Sequence, residues 1–76
     1  MFGKKIKTII KIEGMACEHC ANKVKKEFLG IDTVKNVKVN LAKKEVIIIS
    51  GENLNKDEIK DIVNNLDYKF IRFVEE

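Results

Sequence analysis

A chain of 76 residues has room for one small domain, spanning 1–76, and for only a marginal core. With 45% hydrophobic residues it is too apolar for a disordered chain, and no stretch is long and apolar enough to insert in a membrane. The net charge of +3 comes almost wholly from lysine, and Arg72 is the one arginine. Readers of nucleic acid lean on arginine and stacking aromatics, so that class is set aside. The lysines either form a solvated surface or steer an acidic partner.

The first element is a strand over residues 4–12, "KKIKTIIKI". Ile6, Thr8, Ile10 and Ile12 alternate with Lys7, Ile9 and Lys11, the period of a half-buried strand. Gly14 breaks it. A helix follows from Glu18 to Leu29, with Cys20, Ala21, Val24 and Phe28 on one face. Gly30 suits a left-handed cap after the last turn, with Ile31 folding back onto the helix.

In "TVKNVKVNL" Val37, Val39 and Leu41 point inward and Lys38 and Asn40 outward. A turn around "AKKE" leads to "VIIIS", residues 46–50, so the two runs predict a β-hairpin with a four-residue connection. After the loop "GENLN", Asn55 is a good N-cap and Glu58 three residues later completes a capping-box pattern. Ile59, Ile62, Val63 and Leu66 mark the buried face of a second helix, and "YKFIRFV", residues 68–74, closes the chain as a fourth strand. Two βαβ halves joined by a hairpin predict an α+β, ferredoxin-like βαββαβ sandwich. Its four-stranded antiparallel sheet carries both helices on one face. Right-handed crossovers place the first and third strands in the centre.

The chemistry gathers in "EGMACEHCAN", residues 13–22, which holds both cysteines and the only histidine. Cys17 and Cys20 are too close in sequence for a useful staple, so a disulfide framework is excluded and reduced thiols in a cytoplasmic setting are expected. The leading segment "MFGKKIKTIIKIEG" is broken by lysines and does not read as a signal peptide. Unpaired N–H groups at a helix start favour thiolate over thiol, and a loop cysteine followed by a first-turn cysteine can aim two sulfurs at one point. Two thiolates are half of a zinc site, and the chain offers no further cysteine. They are a sufficient site for Cu(I), and Hg(II) shares the preference. The competing reading is a thiol-disulfide oxidoreductase, whose pair also sits at a helix start. Such enzymes commonly carry Trp before the pair and Pro near it, and this chain has neither.

"GMACEHC" resembles the GMxCxxC signature of heavy-metal-associated domains, and the residues from Lys4 to Val74 fit that family's spacing. The likeness is greatest to the CopZ-like copper chaperones of bacteria. It implies Cu(I) held by Cys17 and Cys20, with Zn(II) and Hg(II) as non-cognate ions, and no enzymatic activity. It also implies transfer by ligand exchange to the metal-binding domain of a copper-transporting P-type ATPase. A copper-responsive repressor and a copper-bridged homodimer are further expected partners. A domain of such an ATPase and a mercury carrier are the alternatives. Zinc-transporting relatives often have Asp where this chain has Ala16. Met15 is either a core plug or a thioether ligand, and His19 either an exposed helix-start residue or a group tuning the thiolates. Tyr68 is either an ordinary strand-start aromatic or a shield for the metal. Lys23, Lys25 and Lys26 are candidates for a docking face.

Overall fold

Alternating burial builds the sheet. The computed structural model describes residues 5–15 and 17–74, which form β1 (Ile6–Glu13), α1 (Glu18–Leu29), β2 (Val34–Asn40), β3 (Glu45–Ser50), α2 (Lys56–Asn65) and β4 (Lys69–Val74). The expected start of the first strand at Lys4 lies outside the described residues. The sheet order is β2-β3-β1-β4, every neighbouring pair antiparallel, with β1 and β3 central as expected. Ile10 and Ile12 of β1, Val46 and Ile48 of β3 and Val37 of β2 point to one face of the sheet. There they meet Val24 and Phe28 of α1 and Ile59 and Val63 of α2 in a single cluster. Phe28, Ile10, Ile12 and Ile48 are fully buried.

The two helices end differently from what the sequence suggests. Gly30 is right-handed, with φ −71° and ψ −12°, so the expected left-handed cap is not there. The last turn of α1 tightens instead. Gly30 N–H donates to Glu27 C=O and Ile31 N–H to Phe28 C=O, and the chain turns directly into β2. A Cβ at 30 would stand 3.3 Å from the Glu27 carbonyl oxygen of the helix's own last turn, a contact relieved by a shift of a few tenths of an ångström. The left-handed cap belongs to α2, where Asp67 has φ 65°. Tyr68 N–H reaches back to Val63 C=O at 3.2 Å and Asp67 N–H to Asn64 C=O at 3.0 Å, the paired bonds of a Schellman ending. At the other end of α2, Asn55 Oδ1 accepts from the N–H groups of Asp57 and Glu58, the N-cap expected.

The β2–β3 connection runs over residues 41–44, with Lys44 left-handed at φ 58°. Along β4 the register shifts against Lys11 and Ile12, which leaves Ile71 as the extra residue, 41% exposed. The shift lets Phe70 and Phe73, three apart, both face the helices. Their rings meet edge to face at 5.0 Å, with Lys56 and Lys60 of α2 over them.

Candidate metal centre

Three chain segments converge at one end of the sheet: the β1–α1 loop, the α2–β4 junction and the β2–β3 turn. Ile12 N–H donates to Lys44 C=O, which ties the hairpin turn to the end of β1. Gly14 then takes φ +109°, a conformation that L side chains rarely adopt. It also lies under the Tyr68 ring, where an added Cβ would stand 3.0 Å from the ring. Met15 is 6% exposed and packs in the core cluster, the plug reading rather than an outward thioether. Ala16, the position read for metal choice, lies outside the described residues.

Cys17 is the N-cap residue of α1, extended at φ −155° and ψ 170°. Its carbonyl accepts the first helical hydrogen bond, from Ala21 N–H at 3.1 Å. Its side chain makes no capping hydrogen bond. Cys20 lies three residues on, one helical turn away, so both sulfurs fall on the same side of the helix start. The two Sγ atoms are 3.6 Å apart, and neither cysteine is in a disulfide. For thiolate–metal bonds of about 2.3 Å, as with zinc, a shared ion would see the sulfurs at an angle near 100°. Linear coordination needs a separation of about 4.6 Å, a rotation of the exposed Cys17 side chain away from half-buried Cys20.

Tyr68 completes the site. Its hydroxyl hydrogen-bonds Cys20, and its pKa is raised to about 12 from 10. The hydrogen bond to Cys20 is the largest cause, followed by burial and then by negative charge at Cys20, Cys17 and Asp67. The Schellman ending of α2 holds the tyrosine in this place. The sequence offers Tyr68 as a shield but does not show the bond to Cys20. The signal available was an Asp, tolerant of left-handed backbone, just past the last apolar helical position. His19 is exposed, and among the described residues no three of His, Cys, Asp and Glu group as a metal cluster. Lys23 and Lys26 are exposed on α1, and Lys25 lines a groove between α1 and β2 together with Glu18 and Lys38.

The chain is thus a ferredoxin-like sandwich with a dithiol at the start of its first helix, one sulfur from the loop and one from the helix. The chain belongs to the heavy-metal-associated domain family, whose sequence profile matches residues 9–69. It is 32% identical over 65 residues to the copper chaperone CopZ of Enterococcus hirae, covering 84% of this chain and 94% of that protein. It is 36% identical over 59 residues to the copper-exporting P-type ATPase of Bacillus subtilis, covering 76% of this chain and 7% of the ATPase. A solved CopZ metallochaperone superposes with a TM-score of 0.79 at 26% identity, covering 87% of this chain and all of that one.

Proposed function

We propose that the chain is a cytoplasmic Cu(I) carrier, not an enzyme, which holds copper between the Cys17 and Cys20 thiolates and passes it on by ligand exchange. The observation that carries this reading is the pair of unbridged cysteine sulfurs 3.6 Å apart at the start of α1. The similarity to copper chaperones over most of their length supports the same choice of cargo. Cu(I) is soft and content with two sulfurs, and helix-start N–H groups offset the added negative charge. Cys17 is exposed, so a thiolate from a docked partner can bind the ion before Cys20 releases it. Copper stays Cu(I) throughout, because thiolates are exchanged and no electron moves.

The recipient proposed is the metal-binding domain of a copper-transporting P-type ATPase. A 59-residue segment of the copper-exporting ATPase relative aligns with this chain, which supports a recipient of like build. A copper-responsive repressor would receive the ion by the same exchange, and a second copy of the chain could share it. Hg(II) and Zn(II) would bind the same sulfurs as non-cognate ions. Anaerobic titration with Cu(I) against a competing chelator tests the site. Wild-type protein is expected to compete, and the Cys17→Ser/Cys20→Ser protein to lose the competition altogether. Copper affinity that survives the double change overturns the proposal.

A further inference from the structure

The face of the sheet turned away from the helices is organised by charge. Residues opposite one another on neighbouring strands share a face, so the register assigns it row by row. Lys38, Ile47, Ile9 and Val74 form one row across all four strands. Asn40, Glu45, Lys11 and Arg72 form the next. Asn36, Ile49 and Lys7 flank the first row on the other side, and Glu13 pairs with Lys69 beyond the second. None of the isoleucines and valines in these rows belongs to the core cluster, which confirms that they lie on the outer face. The face therefore carries five cations, Lys7, Lys11, Lys38, Lys69 and Arg72, against two carboxylates, Glu13 and Glu45. That is three net positive charges, the formal net charge of the whole chain. The remaining ten cationic and ten acidic residues balance.

Arg72 stands directly across from Lys11, a like-charge pair that costs stability in the free protein and that a bound anion relieves. The apolar row is recessed. Ile9 is 7% exposed, while Lys38 and Arg72 stand out as exposed side chains. The face has no aromatic residue to stack a base or to anchor a protein hot spot. Lys38, Asn40 and Ile47 also line the groove beside α1 at the β2 edge. A grid of cations without an aromatic anchor is complementary to a plane of negative charge.

We propose that the outer face of the sheet is an adsorption surface for the headgroups of anionic phospholipids, holding the protein flat on a negatively charged leaflet without insertion. Cys17 and Cys20 belong to the helix layer on the opposite side, so adsorption leaves them uncovered. Co-sedimentation of the metal-free protein with vesicles tests this, using equimolar phosphatidylcholine and phosphatidylglycerol against pure phosphatidylcholine. Binding is expected to the mixed vesicles only and to fall as salt shortens the screening length. Each neutralised cation near such a surface weakens binding roughly fivefold, so Lys38→Gln/Arg72→Gln should bind about 25-fold more weakly. Lys56→Gln/Lys60→Gln, an equal charge change on α2, should stay within about twofold of wild type. Both pairs are exposed, and far-ultraviolet circular dichroism checks that each variant is folded. No binding to the mixed vesicles overturns the proposal and leaves an acidic protein surface as the counterpart of this face. Equal losses in the two variants also overturn it, since net charge alone would then govern binding. Either failure leaves the copper-carrier reading untouched, because no metal is present.

Discussion

At the scale of single residues, the contact that distinguishes this site is the hydrogen bond from Tyr68 to Cys20. It favours the neutral phenol in the folded protein, whose pKa rises to about 12. A pKa raised on folding contributes stability that is complete below the unfolded value of 10 and is lost as pH rises through 12. Tyr68 is the only tyrosine of the chain, so tyrosinate absorbance reads this group alone. Its midpoint is expected near pH 12 in the folded protein. In Cys20→Ala the midpoint should move back toward 10, because the hydrogen bond and the charge at residue 20 are both gone. An unchanged midpoint would show that burial and the charges at Cys17 and Asp67 set it without Cys20. Cys17 and Cys20 were legible from their spacing and from the helix pattern that follows them. Their link to a residue almost fifty positions away was not, because a hydrogen bond between distant segments leaves no local pattern.

At the scale of elements, the helix termini show where local signals hold and where they fail. Asn55 was legible because an N-cap acts within its own three residues, and its side chain accepts from Asp57 and Glu58. Gly30 misled because glycine permits a left-handed backbone without requiring one. Here the backbone is right-handed. The left-handed cap sits instead on Asp67, a residue less suited to it than glycine. Two substitutions should therefore move thermal stability in opposite directions. Asn55→Ala is expected to cost about 1 kcal/mol. Asp67→Gly is expected to stabilise by roughly 0.5 kcal/mol, since relief of the left-handed penalty exceeds the entropy glycine adds to the unfolded chain. A lower midpoint for Asp67→Gly would mean that the aspartate side chain contributes more than its backbone strain costs. The register shift in β4 is an element-scale device of the same kind. It turns Phe70 and Phe73 to the inner face and Lys69, Arg72 and Val74 to the outer one.

At the scale of the whole molecule, one cluster of aliphatic residues around Phe28 holds both helices to the sheet and so holds the α1 start against the α2–β4 junction. A chain of this length has a total stability of only about 4–11 kcal/mol. Phe28 is fully buried, and Phe28→Ala is expected to cost about 3–5 kcal/mol. Denaturant unfolding should show the midpoint fall steeply with the slope unchanged. A loss below about 1 kcal/mol would indicate that the surrounding side chains collapse into the space. No helix among the described residues is long and apolar enough to cross a membrane.

By itself the sequence determined the order of the six elements, the strand order through right-handed crossovers, most of the buried face and the cysteine pair. All of these follow from short-range periodicity, capping chemistry and chain connectivity, which act over a few residues. Tertiary structure alone decided which helix end is left-handed, which β4 residues face outward and which distant side chain touches Cys20. It also decided that the net positive charge of the chain gathers on one side. Lys7, Lys11, Lys38, Lys69 and Arg72 come from three strands, and only the pairing register brings them to a single face. Charge and hydrogen bonding between segments depend on that register, and register is set by packing across the sheet rather than within any one strand.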